Sequence, residues 1–274
     1  MQERAPGPPD PATQDGNSDL LVEVADRVLT ITLNRPRARN ALTFAMYRKL
    51  AEVIRSLDEH PQIRALIITG AGGKAFAAGT DISEFSAFDS PADAIAYEQS
   101  INRILELIER CPVPTIAAVA GACTGGGFGI AACCDLRIAT ADARFGLPIA
   151  RTLGNCLSLS NHARFAGLIG VARLKDMVLT ARLLDTDEMK AAGALTEIVQ
   201  DPEALMPRAM ALAQTIASHA PLTMRVTKES LNALQATIDP EQEQALFLKA
   251  YQSRDFAEGV DAFLNKRKPE WTGT

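Results

Sequence analysis

The stretch Pro114 to Ala139, PTIAAVAGACTGGGFGIAACCDLRIA, limits what this chain can fold into more than any other. Ile116 to Ala120 is an unbroken apolar run, the pattern of a strand buried on both faces. Gly121 ends it, and after a small-residue turn three consecutive glycines follow, Gly125 to Gly127. Phe128, Ile130, Ala131, Cys133 and Cys134 then read as the apolar side of a short buried helix. Asp135 closes that helix, and Leu136 to Ala139 returns as a strand. Glycines let a backbone come close to something that a Cβ would repel. At a helix start they also leave N–H groups where the dipole favours negative charge. The triplet reads either as an anion site or oxyanion hole, or as a tight crossover from strand to helix.

The flanking sequence alternates strands with helices, which argues for an α/β fold. Leu20 to Val24 and Val28 to Leu33 alternate apolar and polar residues around Ala25-Asp26-Arg27, a hairpin pattern. Thr43 caps a helix to about Glu59, with Phe44, Tyr47, Leu50, Ile54 and Leu57 on one face. Ala65 to Thr69 is a buried strand, and Phe76 to Thr80 a second that ends in AAGTDIS, another glycine break. A helix from about Pro91 to Arg110 turns Ile95, Ile101, Ile104, Leu105 and Ile108 inward. Arg144 to Leu147 is a short strand, and helical spacing resumes from about Cys156. After a last strand, Leu195 to Val199, the spacing predicts helices over 202–217, 221–235, 239–252 and 256–266. The organisation expected is a proline-rich disordered tail over 1–19, a core over 20–200 and a C-terminal helical oligomerisation region over 201–274.

At 274 residues the chain can bury a large core. A net charge of −5 argues against nucleic acid or an anionic membrane surface as the main partner. The five cysteines have no CxxC or Cys/His ligand spacing, so reduced thiols and no metal are expected. No basic start precedes an apolar core and no apolar run is long enough to span a bilayer, so a cytoplasmic location is expected.

Five blocks stand in an order that identifies a relationship: LNRPRARNALT (33–43), LIITGAGGKAFAAGTDISEF (66–85), PTIAAVAGACTGGGFGIAACCDLRIAT (114–140), LTARLLDTDEM (179–189) and DFAEGVDAFLNKRKPEW (255–271). With them the chain resembles the crotonase superfamily, the enoyl-CoA hydratase/isomerase family, from about Leu20 to Gly273. The resemblance implies a spiral of β-β-α turns with C-terminal helices that form trimers or hexamers. It implies acyl-CoA or enoyl-CoA thioester substrates and no cofactor beyond the CoA of the substrate. It also implies that the backbone N–H groups of Thr80 and Gly126 hold the thioester oxygen as it becomes an enolate. Ala78, Asp81, Ile82 and Ser83 would line the CoA site, with Gly125 beside them. Phe263 and Lys266 match positions that reach a neighbouring subunit's CoA, and Arg37 and Arg39 are candidates for its phosphates.

The chain departs from the family where the chemistry is decided. Hydratases of the family use two glutamates. The first falls at Gly129, and the second falls in an FxxPE segment that here reads Phe145-Gly146-Leu147-Pro148-Ile149. The usual PGAGGT stretch is replaced by Leu157 to His162. Adding water to a conjugated double bond needs a base for the water and an acid for Cα, so ordinary hydration should be weak. Arg151, Asn155, Cys156 and His162 are candidates to stand in. Gly154-Asn155-Cys156 is similar to the segment that carries the nucleophile in a relative acting on aryl halides, so a Cys156 nucleophile activated by His162 is one reading. The other is a small buried Cys156 and a hydrogen-bonded helix His162. Asp81 and Glu84 are further candidates, against a loop cap and a solvated side chain, and Asp135 reads as structural. The functions left open are an altered hydratase/isomerase, an isomerase, hydrolase or decarboxylase on the same scaffold, and a non-catalytic acyl-CoA binder.

Overall fold

The computed structural model describes residues 18–232, 241, 244, 248 and 251–270. Most of the expected 1–19 tail, much of the 239–252 helix and the last four residues lie outside these. Strands β1 (Leu20–Ala25) and β2 (Val28–Leu33) form the expected hairpin, antiparallel and in register. Asp26 and Arg27 both have positive φ, the geometry whose twist matches the two strands. Helix α1 (Phe44–Ser56) starts where Thr43 Oγ1 accepts the N–H of Met46 at 3.2 Å.

From β3 the chain winds as a spiral. Each turn contributes one strand to a large sheet, one to a small sheet, and a helix. The turns are β3 (Ala65–Gly70), β4 (Ala75–Ala77) and α2 (Pro91–Glu109); β5 (Thr115–Val119), β6 (Ala122–Thr124) and α3 (Gly126–Cys133); then β7 (Leu136–Thr140), β8 (Arg144–Gly146) and α4 (Ile149–Thr152). Helices α5 (Leu159–Ile169), α6 (Val171–Leu179) and α7 (Thr186–Ala191) lead to β9 (Glu197–Val199). The large sheet runs β1-β2-β3-β5-β7-β9 and is parallel after its first pair; the small one, β4-β6-β8, is parallel throughout.

Both faces of the large sheet are covered, which is why its strands are apolar without a break. Leu66, Ile68, Ala117 and Val119 face the main core, built with α1, α2, α3 and α5. Ala65, Ile67, Ile116 and Ala118 point the other way, under α8 (Leu205–Ala217), through Ala209, Ala213 and Ile216. Two expected boundaries move. The strand expected to Thr80 stops at Ala77, because Gly79 turns the chain with φ +106°. The helix expected from Cys156 begins at Leu159, where Ser158 Oγ accepts the N–H of Asn161.

Helix α9 (Pro221–Asn232) is tied to the core by one buried cation. Lys228 Nζ lies 2.7 Å from Asp135 Oδ2, which also accepts from the N–H and the hydroxyl of Thr115 at 2.7 and 2.8 Å. Asp135 is thus the structural carboxylate its position suggests. Removing one member of such a pair strands the other. Lys228→Ala should therefore lower the unfolding free energy by about 2 kcal/mol, below the fully buried range because Asp135 is partly exposed. A urea titration measures it; a midpoint equal to wild type would mean that Thr115 alone satisfies Asp135.

Candidate active site

Two glycine turns from successive windings meet. Gly79 follows β4, and Gly125, at φ +53°, follows β6. A Cβ on Gly125 would stand 3.2 Å from Gly79 Cα, so the backbones are in direct contact. The residue after each turn, Thr80 and Gly126, lines the same cavity. The bridge between Thr80 and Leu42 uses the carbonyl of Gly79 and the N–H of Asp81, and so passes over the N–H of Thr80. Gly126 is the first residue of α3, whose opening bond runs from Gly129 N to Gly125 O, so helix geometry gives its N–H no partner.

The cavity holds about 500 Å³. Ala78 to Ile82 and Thr124 to Gly126 form one wall, and Glu98, Ile101 and Leu105 of α2 form another. Gly129 and Ile149, the two positions where carboxylates were missed, both face it. Helix α10 (Arg254–Leu264) packs against the 3-10 turn Ile82–Ala87 and against α4 of its own chain. Phe263 lines the cavity of this chain.

The Thr80 turn is held through its side chain. Thr80 Oγ1 lies 3.0 Å from the hydroxyls of both Tyr47 and Tyr97. Burial raises the pKa of both phenols, and the charge of Glu98 adds to the rise, so they stay neutral hydrogen-bonding groups. Asp81 braces the same loop. Its carboxylate accepts from the N–H and hydroxyl of Ser83 and pairs with Arg35 at 2.9 Å. Partial burial works against its charge, but the Ser83 and Arg35 bonds outweigh this and hold its pKa below the usual value. Ser83 is a partner of Asp81 and does not itself line the cavity, and Glu84 sits in the first turn of the same 3-10 segment.

The structure does not pair Cys156 with His162. Cys156 lines the cavity, whereas His162 is exposed and its Nδ1 meets Ser158 O at 2.9 Å. Burial pushes the Cys156 thiol up to about 12, with the charge of Glu98 adding to it, the reverse of an activated nucleophile. Arg39 lies at the rim and Asn155 in the wall, while Arg37, Arg151 and Lys266 are exposed and do not line the cavity. Among the described residues no group of His, Cys, Asp and Glu could hold a metal, and no helix is long and apolar enough to cross a membrane.

One carboxylate that the sequence reading passed over stands in this site. Glu98 is 5% exposed, lines the cavity, and accepts a hydrogen bond from the Tyr251 hydroxyl. Its spacing to Ile101 and Leu105, three and seven residues on, was the available signal: a charge on the apolar stripe of α2.

Residues 23–274 match the family model described as enoyl-CoA hydratase/isomerase. The chain is 33% identical over 256 residues to a short-chain-enoyl-CoA hydratase of Clostridium acetobutylicum, covering 92% of this chain and 97% of that protein. It is 36% identical to a probable enoyl-CoA hydratase of Mycobacterium tuberculosis over the same shares. Among solved structures, a methylmalonyl-CoA decarboxylase in complex with 2-nitronate-propionyl-CoA superposes with a TM-score of 0.85 at 30% identity, over 94% of this chain and 99% of that one. The spiral, the paired glycine turns and these matches over nearly the whole length agree, and the chain belongs to the enoyl-CoA hydratase/isomerase family of acyl-CoA enzymes.

Proposed function

We propose that this chain binds an acyl-CoA thioester with its carbonyl oxygen between the N–H groups of Thr80 and Gly126, and stabilises the enolate that forms there. The observation that supports the reading is the contact of the Gly79 and Gly125 turns, with Thr80 and Gly126 both lining one cavity. Backbone donors need no side-chain reorganisation as charge develops, and one such donor is worth about 2.7–4 kcal/mol of barrier. The Ala78 to Ser83 loop and Arg39 border the CoA moiety, and Phe263 covers the acyl end from α10. Trimers or hexamers would bury Leu222, Val226 and Leu231, which α9 exposes in the single chain. A cytoplasmic setting suits five cysteines that form no disulfide.

Hydration is not the favoured reaction, since Gly129 and Ile149 supply no carboxylate. Decarboxylation is the second reading. It needs the enolate site and no base, and the decarboxylase structure is similar at a TM-score of 0.85.

Purified protein given crotonyl-CoA and a panel of longer, branched and 2-carboxylated acyl-CoA esters should remove the enoyl absorbance far more slowly than a two-glutamate relative. Hydration at an ordinary rate would sink the assignment of Gly129 and Ile149. Free CoA should not accumulate, and Cys156→Ala should leave turnover unchanged; a burst of free thiol lost in that variant would restore a cysteine nucleophile. At Gly126 an added Cβ would fall 2.0 Å from the Tyr47 hydroxyl, itself buried and fixed. Gly126→Ala should lower kcat by roughly 10²–10³-fold through displacement of its N–H. Adding Tyr47→Phe should relieve the collision and recover part of the loss, which separates the displaced donor from a failure to fold.

A further inference from the structure

We propose that Glu98 is the general acid–base of this site, and that the reaction it serves is migration of a carbon–carbon double bond in an unsaturated acyl-CoA thioester. The proposal rests on the enolate reading above. Glu98 is the one carboxylate among the described cavity residues that is buried: Asp81 is committed to Arg35 and Ser83 at the loop. Its position is fixed from across the site. The Tyr251 hydroxyl donates to Glu98 Oε1, and the amide of Asn155 approaches that hydroxyl at 3.4 Å. Tyr251 is in turn packed between Phe256 and Tyr97, with ring centroids 4.7 and 6.5 Å away. After burial, the charge of Glu98 adds to the raised pKa of Tyr47, Tyr97, Tyr251 and Cys156, which line or adjoin the same cavity.

A single carboxylate suits a proton shift better than the alternatives. Water addition requires one group to activate water while another protonates Cα. Decarboxylation would bring a substrate carboxylate beside Glu98, and two like charges in one shielded cavity disfavour each other. In a double-bond shift the same carboxyl acts twice. With a β,γ-unsaturated thioester, the Glu98 carboxylate takes a proton from Cα. The C–H electron pair forms the C1–Cα double bond, and the carbonyl pair moves onto oxygen, where the N–H groups of Thr80 and Gly126 receive it. The Cβ–Cγ π pair then takes the proton back from the carboxylic acid, forming the new Cγ–H bond and regenerating the carboxylate. The C1–Cα pair becomes the new Cα–Cβ double bond as the carbonyl re-forms. No water, oxidant or second substrate enters. Beyond Glu98, Ile101, Leu105 and Phe165 line the cavity, so the acyl chain it fits is apolar.

The test uses the full-length protein, Glu98→Gln and Gly126→Ala, with 3-enoyl-CoA esters as substrates and the nitronate of 2-nitropropionyl-CoA as a stable enolate mimic. Wild type should generate the conjugated 2-enoyl absorbance without releasing CoA. Glu98→Gln keeps the shape and can still accept from Tyr251, so it should melt like wild type and bind the nitronate comparably, yet isomerise roughly 10²-fold more slowly or worse. Gly126→Ala should instead lose nitronate affinity. Isomerisation by Glu98→Gln at the wild-type rate overturns the role of Glu98 and leaves the enolate reading standing. Nitronate binding no tighter than a saturated acyl-CoA overturns the enolate reading and this proposal with it. Tight nitronate binding by a wild type that isomerises no 3-enoyl-CoA, or that decarboxylates a 2-carboxyacyl-CoA instead, overturns the reaction class.

Discussion

Everything chemical in this chain depends on two stretches of backbone lying in contact where any side chain would hold them apart. A Cβ at Gly125 would stand 3.2 Å from Gly79 Cα, and Gly125 itself adopts a φ of +53° that other residues rarely take. The spiral supplies the rest. Because β4 and β6 are parallel neighbours in the small sheet, the turns that follow them emerge at the same edge. Thr80 and Gly126, far apart in sequence, then line one cavity without a side chain having to be positioned. Under the proposed function, donors built this way would tolerate change in the surrounding residues, so a scaffold could keep enolate chemistry while both glutamate positions change.

Backbone contact fixes only one side of each turn. The Thr80 turn is also fastened to two helices, through Tyr47 of α1 and Tyr97 of α2. Buried hydroxyls cost free energy unless paired, so these three settle into one chain of hydrogen bonds rather than three separate compromises. Asp81 secures the next residue through Arg35. The same helix that carries Tyr97 carries Glu98, one residue on. The element that holds an oxyanion donor in place therefore also sets the carboxylate, and the two cannot drift apart without breaking the tyrosine contacts.

The hairpin, the long buried strands and both glycine turns are legible in the sequence because each rests on a local rule: an apolar run, a positive-φ turn, a missing Cβ. The spiral comes from the resemblance, and β6 reads in the sequence as a small-residue turn. Thr80, Gly126, Gly129 and Ile149 are assigned by the family resemblance, and all four line the cavity. Glu98 and Tyr251 could not be joined that way. They lie on segments widely separated in the chain, and their bond exists only once the helices after β9 have folded back over α2. Of the two readings of Cys156 and His162, the geometry fits the plain one: the helix starting at Leu159 turns His162 outward, with its Nδ1 against Ser158 O.

The loss at position 129 and the carboxylate on α2 are best understood as one rearrangement. A Cβ at Gly129 would meet Leu105 Cδ1 at 3.3 Å and Cδ2 at 3.5 Å, with Phe165 Cζ at 3.9 Å. A side chain begun at this position would therefore first meet apolar atoms that offer no hydrogen bond. Leu105 shares its stripe of α2 with Ile101 and Glu98. One helix face thus borders Gly129 at one end and supplies a partnered carboxylate at the other. An acid–base group moved along the cavity wall in this way meets a different carbon of the bound acyl chain, and that displacement is the physical reason a hydratase scaffold would turn to a proton shift.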